Sequence, residues 1–269
     1  MDLTAVTGFR RATTRADLTL APGERFLAGG TWLFSEANPD VTGLVDLSGM
    51  GWEALRVDDA GLAIGPTCTI ARLLAEPARR GWAAQPLFGM AAHALLASFK
   101  IWNEATVIGN ICRAYAAGAM LAACATLDAD AVIWTPDGGQ RIVPVASLPT
   151  GNGTTSLAHG ELVREVRISA DALGARTSLH KIALAELGRS GAVASGRAHA
   201  DGTAVVVITA ATLTPTVLRW DALPSPAEAR EAAQAAEGFY SDALGAADWR
   251  RHVSGVLAAR VINDLAEAS

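Results

Sequence analysis

The stretch Phe26-Leu27-Ala28-Gly29-Gly30-Thr31-Trp32-Leu33 decides how this chain of 269 residues is expected to fold. A short apolar strand, Arg25–Ala28, ends there in two glycines, and the chain resumes as a helical turn over Thr31–Glu36. Backbone without Cβ atoms can approach a phosphate closely and present successive N–H donors, and the Thr31 hydroxyl would add another. An ordinary strand-to-helix turn has the same pattern, so this stretch alone leaves both interpretations open.

A second glycine-containing segment, Ile101–Ile111, lies much further along the chain and includes the pair Gly109-Asn110. Asparagine after glycine is a turn residue that can also hydrogen-bond a ligand. Apolar residues recur at helical spacing before this segment, over Pro86–Phe99, and after it, over Ala116–Leu127. We therefore predict a compact connection between two buried, alanine-rich helices.

The rest of the chain mixes short strands with helices, which predicts an α+β fold. A larger domain of residues 1–172, split into two subdomains near residues 50–60, is expected before a smaller domain of residues 173–269. The large domain is predicted to add strands Gly43–Leu47, Leu62–Gly65, Ala131–Trp134, Arg141–Val145 and Leu162–Ile168 and a helix Ile70–Glu76 with Thr69 as N-cap. After a linker, Ser169–Arg176, the small domain is predicted to contain strands Ser178–Leu184, Ala192–Ala200 and Ala204–Leu213 and helices Pro224–Gly238 and Ala246–Ala268.

Composition and charge narrow the classes of function. A net charge of -5 and an 18% share of charged residues argue against a nucleic-acid-binding protein, which would show a basic face. The N-terminal residues contain no continuous apolar run typical of a secretory signal, and the longest apolar stretches are too short to cross a bilayer. We expect a cytoplasmic protein without a membrane partner.

No motif predicts a metal centre or a catalytic residue within this chain. Three widely spaced cysteines, Cys68, Cys112 and Cys124, form neither a disulfide framework nor the four-thiolate set of a [2Fe–2S] cluster. The five histidines lack the paired spacing of metal ligands, and no GxxxxGK[ST], HExxH or GxSxG motif occurs. Gly151-Asn152-Gly153 is not followed by a glycine and a helix, so it fails as a dinucleotide fingerprint of the Rossmann type.

Taken together and in this order, the segments resemble the FAD-binding (medium) subunit of the molybdenum hydroxylases, the family of the xanthine dehydrogenase and carbon monoxide dehydrogenase flavoproteins. The resemblance covers nearly the whole chain and implies a two-lobed FAD-binding domain of the PCMH type, followed by a smaller α+β C-terminal domain of a sheet plus helices. It is carried by Phe26–Leu33, Leu62–Thr69, Ser98–Ile111, Leu127–Ala131, Arg141–Val145, Glu161–Ile168 and His180-Lys181.

The resemblance also implies which residues hold the cofactor. The FAD pyrophosphate is expected on the two glycine segments, Lys181 matches a lysine that reaches the flavin, and Leu157 falls near a position that packs on the cofactor. An exposed lysine on an edge strand remains an equal interpretation of Lys181. The full set of implied cofactor-binding residues is Leu27, Ala28, Gly29, Gly30, Thr31, Trp32, Thr106, Ile108, Gly109, Asn110, Cys112, Leu157 and Lys181.

Several positions depart from the family pattern. Ile108 replaces a glycine, and its branched side chain is expected to restrict the turn and crowd a phosphate. Trp102 replaces a basic or small residue. It can be interpreted either as a wall of the cofactor pocket or as a buried packing residue. An aspartate of the relatives is missing at Gly118–Met120, where Arg113 or Tyr115 would have to compensate. The start of the C-terminal domain, Ala185–Ala192, also departs from the family.

In this family a molybdenum subunit oxidises the substrate, an iron–sulfur subunit relays single electrons, and the flavin passes pairs of electrons to NAD⁺, oxygen or a quinone. The resemblance thus implies an FAD-dependent electron-transfer subunit with a molybdopterin large subunit and a [2Fe–2S] small subunit as partners; a homodimer is left open. The departures leave two alternatives. One is a standalone FAD-dependent oxidoreductase with Trp102, Cys112 and Tyr115 lining a substrate pocket, and the other is a scaffold that kept the fold without the flavin.

Overall fold

The computed structural model describes residues 4–267 and begins with a small parallel sheet. Its strands are β1 (Gly8–Arg11), β2 (Glu24–Leu27) and β3 (Gly43–Asp46), in the order β1-β3-β2. The central strand β3 is buried along its whole length, and Val45 and Leu47 contribute to the core of this lobe. The sequence does not predict strand β1, because it is a polar edge strand with only Phe9 as a large apolar residue.

A larger antiparallel sheet forms the second lobe. This sheet has five strands, in the order β4-β5-β10-β6-β7, and a separate two-stranded hairpin, β8–β9, lies between β7 and β10 in the chain. The strands are β4 (Leu55–Asp58), β5 (Gly61–Ile64), β6 (Asp130–Trp134), β7 (Gln140–Pro144), β8 (Pro149–Gly151), β9 (Thr154–Thr155) and β10 (Leu162–Ser169). Short 3₁₀ turns occur at Arg15–Leu18, Leu47–Met50 and Val145–Ser147.

Helices pack against this sheet around the largest hydrophobic core of the protein. They are α1 (Ile70–Leu74), α2 (Pro86–Ala94), α3 (Phe99–Glu104), α4 (Val107–Arg113), α5 (Ala119–Thr126) and α6 (Ala170–Gly174). The Thr69 cap of α1 is confirmed, because its side chain accepts a hydrogen bond from the Arg72 N–H. Two predictions were wrong: the single helix Pro86–Phe99 ends at Ala94, and the linker Ser169–Arg176 contains α6, which Ser169 caps.

The C-terminal region is a four-stranded antiparallel sheet covered by two helices. Its strands follow one another in chain order, with β11 (Arg176–Ala183), β12 (Ser190–Ala198), β13 (Ala204–Thr209) and β14 (Thr216–Trp220). Helices α7 (Pro226–Ala235) and α8 (Ala247–Glu267) follow, and α8 packs on the sheet through residues such as Leu257 and Val261. Strand β14 was not predicted. No helix within residues 4–267 has the length and apolar character required to cross a membrane.

An ion-pair network joins the C-terminal sheet to the end of α5. Asp128, in the left-handed conformation at φ 46°, accepts hydrogen bonds from both Arg197 and Arg219. Arg197 also donates to the carbonyl of Thr126, whose hydroxyl lies 2.5 Å from the hydroxyl of Ser195. Burial alone would raise the pKa of Asp128, but the two guanidinium groups outweigh it and hold the pKa below its ordinary value.

Candidate cofactor-binding site

The two glycine segments, distant in sequence, are in direct backbone contact. A Cβ placed on Gly29 would overlap the carbonyl oxygen of Glu104 and lie 2.9 Å from its carbonyl carbon and 3.2 Å from the Thr106 nitrogen. Glycine at position 29 is therefore required by the second segment of the protein itself, which the sequence analysis did not foresee. We call this contact the Gly29–Glu104 junction; it brings residues 27–32 and 106–110 to one place.

Gly30 shapes the turn that follows the junction. Its φ of +70° lies in the left-handed region, which favours glycine, and a Cβ there would come within 2.7 Å of the Phe34 ring. The Phe34 N–H donates to the Gly30 carbonyl over 3.0 Å, so the predicted helical turn after the glycines is confirmed. The turn leaves Thr31 and Trp32 half-buried.

The second segment begins with a buried helix cap. The Thr106 hydroxyl, on a residue only 4% exposed, accepts a hydrogen bond of 3.0 Å from the Gly109 N–H. A Cβ on Gly109 would lie 2.7 Å from that hydroxyl oxygen, so glycine allows the cap to form and leaves exposed backbone on the first turn of α4. The predicted compact connection is thus largely a helix, with α3 immediately before it.

Ile108 corrects an expectation drawn from the sequence. Its side chain is 5% exposed and belongs to the main hydrophobic core, so it does not crowd a phosphate at the surface of the turn. Cys112 likewise packs on this core, and burial raises the pKa of its thiol to about 12. Both side chains are therefore packing groups, and only the main chain at these two positions remains available to a cofactor.

Asn110 ties α4 to the next helix. Its side-chain oxygen accepts a hydrogen bond of 3.0 Å from the N–H of Met120, in the first turn of α5. Residues Gly118–Met120, where relatives carry an aspartate, are buried here. The Asn110 amide oxygen is consequently committed to the protein, and its NH₂ group is the part left for a ligand.

A cluster of aromatic and charged side chains borders both segments; we call Trp32, Glu36, Arg113 and Tyr115 the Arg113 cluster. The Arg113 guanidinium carbon lies 4.1 Å from the Trp32 ring centroid and 3.8 Å from the Tyr115 ring centroid. Its Nη2 donates to the Tyr115 hydroxyl over 2.5 Å. That hydroxyl also accepts from Trp32 Nε1 over 3.2 Å and donates to Glu36 over 3.0 Å.

The segment Gly151-Asn152-Gly153, which does not match a Rossmann fingerprint, contacts the Arg113 cluster as a hairpin turn. Asn152 and Gly153 form the turn of the β8–β9 hairpin, with Gly153 at φ +88°. The Gly153 carbonyl accepts from Arg113 Nη1 over 3.2 Å, and Asn152 Oδ1 accepts from the Ala116 N–H over 3.0 Å. The Asn-Gly pair, a strong hairpin signal, could have placed this turn from the sequence.

Lys181 and Leu157 lie outside the junction. Lys181 pairs with Val193 across β11 and β12, and directly opposite residues share one face of a sheet. Val193 lines a narrow pocket of about 10 Å³, roughly the space of one water, together with Ala119 of α5. Lys181 is thus on the sheet face that is turned toward the FAD-binding region. Leu157 follows β9 and packs at the edge of the main core.

The side chains of Ser178, His180 and Asp264 do not form a catalytic relay. The Ser178 hydroxyl and the His180 imidazole both bond to the same carboxylate, Asp264, over 2.5 and 2.8 Å, so neither hydroxyl nor imidazole activates the other. Trp102 packs against the core with its ring edge-on to His93, at 5.2 Å between centroids. Within residues 4–267 no group of three or more His, Cys, Asp or Glu side chains is suited to hold a metal ion.

The residues at the junction fit a cofactor that carries phosphate groups. Arg113 Nε is buried and has no hydrogen-bond partner among the described residues. A buried N–H without a partner is costly, and an anionic acceptor would satisfy it. Exposed backbone at Gly109 and the half-buried turn at Gly30 lie on the two sides of the same junction.

The fold and this junction define an α+β nucleotide-cofactor-binding protein built from two lobes and a C-terminal sheet. The family described as FAD binding domain in molybdopterin dehydrogenase matches residues 11–170, more than half of the chain. The chain belongs to this family of oxidoreductase components, and FAD is its cofactor. The resemblance seen in the sequence is thereby confirmed.

Individual relatives agree with this assignment. The aldehyde oxidoreductase FAD-binding subunit PaoB of Escherichia coli K12 is 35% identical over 114 residues, which cover 38% of this chain and about a third of that protein. Carbon monoxide dehydrogenase from Oligotropha carboxidovorans superposes with a TM-score of 0.85 at 24% identity over the whole of both chains. Quinoline 2-oxidoreductase from Pseudomonas putida 86 gives 0.83 at 21% identity, covering 100% of this chain and 99% of that one. These structures confirm the predicted α+β fold of the PCMH type.

Proposed function

We propose that this chain is the FAD-carrying electron-transfer subunit of a multicomponent dehydrogenase of the molybdenum hydroxylase type. In this proposal it receives electrons from a separate [2Fe–2S] subunit, which is itself supplied by a molybdopterin subunit, and passes them to an acceptor such as NAD⁺, oxygen or a quinone. The observation that carries the proposal is the Gly29–Glu104 junction, because it joins the two segments expected to hold the cofactor into one site.

The junction would bind the diphosphate of the cofactor. In the second segment the main-chain N–H groups of Val107, Gly109 and Asn110 already donate within the protein, which leaves those of Thr106 and Ile108. Main-chain N–H groups of residues 27–32 are the other backbone donors of this part of the site, and the Thr31 hydroxyl and the Asn110 NH₂ group add side-chain donors. Because Ile108 and Cys112 direct their side chains into the core, their part in the site is limited to the backbone.

FAD, when bound, supplies the electron-transfer chemistry, accepting electrons singly and releasing them in pairs. The chain's own task is to hold the ring system and to set the electrostatic field around it. We assign Lys181 to this task, since it lies on the sheet face turned toward α5, where the aspartate of relatives is replaced by Ala119. Leu157 would contribute an apolar contact.

The domain division is part of the same proposal. We place the FAD-binding domain at residues 1–172, with its two subdomains meeting near residues 50–60, and the C-terminal domain at residues 173–269. The three larger sheets, whose strands span residues 8–46, 55–169 and 176–220, support this division, and the two-stranded β8–β9 sheet lies within the second range. A cytoplasmic location is also proposed.

The first test is the cofactor content of the chain purified under gentle conditions. We expect a flavin absorption spectrum, one FAD per chain after incubation with FAD, and FAD itself on chromatography of the released cofactor. A chain that folds but binds no FAD after this incubation would contradict the proposal and favour the scaffold alternative.

The second test is the set of partners. Affinity purification of the tagged chain from its own cells should bring down one protein with a [2Fe–2S] spectrum and one that contains molybdopterin. Rapid reduction of the isolated flavoprotein by small aldehydes or aromatic heterocycles, with no partner bound, would instead support a standalone oxidoreductase.

A further inference from the structure

The two segments that meet at the Gly29–Glu104 junction contain no basic residue, and their one charged side chain, Glu104, is acidic and exposed. Residues 27–32 and 106–112 contain no Asp, Glu, Lys or Arg, whereas the diphosphate of a dinucleotide is anionic. Arg113 is the next residue after the second segment, and its guanidinium stacks on Trp32 of the first. It is thus the cation placed in contact with both segments.

Arg113 has no acidic partner within residues 4–267. Two of its nitrogens donate to neutral acceptors, the Tyr115 hydroxyl and the Gly153 carbonyl, and Nε is buried without a partner. The carboxylate of the cluster, Glu36, accepts from the Tyr115 hydroxyl, the same group to which Arg113 donates, and not from the guanidinium itself. A guanidinium offers five N–H donors in a planar fork that matches phosphate oxygens, so this group has both charge and donors left for a ligand.

The surroundings also hold the guanidinium in place. Two aromatic rings, with centroids at 4.1 and 3.8 Å from the guanidinium carbon, restrict its movement and favour the cation. The Tyr115 ring is itself held by Trp32 and Glu36 through its hydroxyl. Because the side chain is ordered before a ligand arrives, little conformational entropy is lost on binding.

We propose that Arg113 is the residue of this chain that neutralises the diphosphate of FAD, with Trp32 and Tyr115 as the residues that position it. This inference rests on the proposed function and adds a charged side chain to the neutral donors proposed for the diphosphate site. It also gives the Gly153 hairpin turn a role, since its carbonyl orients one end of the guanidinium.

The test measures FAD binding to the cofactor-free full chain by quenching of FAD fluorescence. Arg113→Met keeps the length of the side chain without its charge, and Arg113→Lys keeps the charge without the fork. Arg189→Met is the matched control, because Arg189 is the other arginine near Tyr115, with its guanidinium carbon 5.5 Å from the ring. Each variant is titrated at low and high salt, with circular dichroism to check folding.

For Arg113→Met we expect the Kd for FAD to rise at least about tenfold, equivalent to about 1.4 kcal/mol. The Kd of this variant should also depend much less on salt concentration than that of the wild type. Arg113→Lys should show an intermediate Kd and keep the salt dependence, and Arg189→Met should stay within about twofold of the wild type. ADP, which carries the diphosphate without the flavin, should also bind Arg113→Met with a Kd about tenfold above that of the wild type.

An Arg113→Met chain that folds and binds FAD within about twofold of the wild type would overturn the inference while leaving the proposed function intact. If that variant does not fold, Arg113→Lys decides, and a Kd equal to that of the wild type would show that the fork has no contact with phosphate. A wild-type chain that binds no FAD would instead sink the proposed function, and the inference with it.

Discussion

The main chain of Gly29 packs on the carbonyl group of Glu104 with no room for a side chain between them. This contact gives the first glycine of the pair a different physical role from the second. Gly29 admits another part of the protein, whereas Gly30 supplies a left-handed backbone conformation. The two glycines are therefore expected to respond differently to substitution.

Replacing Gly29 with alanine should separate the two segments. The added methyl group overlaps backbone atoms, which cannot move aside like a flexible side chain, so we expect a loss of about 1–3 kcal/mol in the free energy of unfolding. The Kd for FAD should rise more than about tenfold. Urea unfolding and FAD titration of the variant measure both effects.

Gly89→Ala is the matched control for that experiment. Gly89 lies inside α2, and a Cβ there meets nothing within 4 Å. Alanine is favoured over glycine in a helix interior, so a gain of about 0.5–1 kcal/mol with unchanged FAD binding is expected. Equal effects of the two substitutions would show that the junction has no special importance.

Shortening Ile108 should affect stability and not the cofactor. Its side chain is 5% exposed in the main core, so Ile108→Ala removes buried methyl and methylene groups and should cost about 2–4 kcal/mol. FAD content per folded molecule should stay that of the wild type. A clear change in FAD affinity without a loss of stability would show that Ile108 faces the cofactor after all.

Asp128→Asn tests the connection between α5 and the C-terminal sheet. The left-handed backbone at Asp128 tolerates asparagine, so the change removes charge with little strain. Arg197, which is 6% exposed, would lose its carboxylate partner. Breaking a fully buried pair costs about 3–5 kcal/mol, but Asp128 is 34% exposed, so about 2 kcal/mol is expected in thermal or urea unfolding. The exposed Asp130→Asn, two residues away, should stay within about 0.5 kcal/mol of the wild type.

The assignment of Lys181 predicts an effect on the potential of the bound flavin. A positive charge near the ring favours the state that carries more electrons, so Lys181→Met should lower the midpoint potential by about 30 mV, equivalent to about 1.4 kcal/mol for a two-electron couple. Lys100→Met, which removes the other lysine of the chain, should leave the potential unchanged. Identical potentials in all three proteins would place Lys181 away from the ring.

Acid stability should depend on the pair that joins β1 to β2. Two hydrogen bonds from Arg10, of 2.8 and 2.7 Å, are the main reason that the pKa of Glu24 falls from 4.5 to about 2. A lowered carboxyl pKa contributes stability that is complete above pH 4.5 and is lost as the pH falls through 2. The wild type should therefore be more stable than Glu24→Gln at neutral pH, and the difference should shrink between about pH 4.5 and 2 in urea titrations. A difference that is constant over this range would exclude Glu24 as its source.

The sequence predicts the glycine segments and most buried strands because their signals are local. Leu62–Ile64 and residues 204–208 are apolar throughout, and the Thr69 cap is set by its own neighbours. The direction of Ile108 depends instead on α4 packing into a core built from residues far away in the chain. The Arg113 cluster joins side chains from two segments far apart in the chain and a main-chain carbonyl from a third, so its contacts could not be read from any one of them.

Strand β14 was missed for a similar reason. Thr216–Trp220 is half-buried with no fully buried position, and it gains its place by pairing with β13, which is buried at every residue. Strand β1 is comparable, because it lies on the edge of its sheet and pairs with the buried strand β3. Edge strands such as these carry weak patterns, because solvent tolerates polar residues on them.

The Gly29–Glu104 junction has a consequence for how the protein matures in the cell. Residue 29 is synthesised long before residue 104, so a growing chain has no complete cradle for the cofactor until both have left the ribosome and met. Binding of the flavin must then follow synthesis of the second lobe, and a chain truncated before residue 104 would remain without its coenzyme.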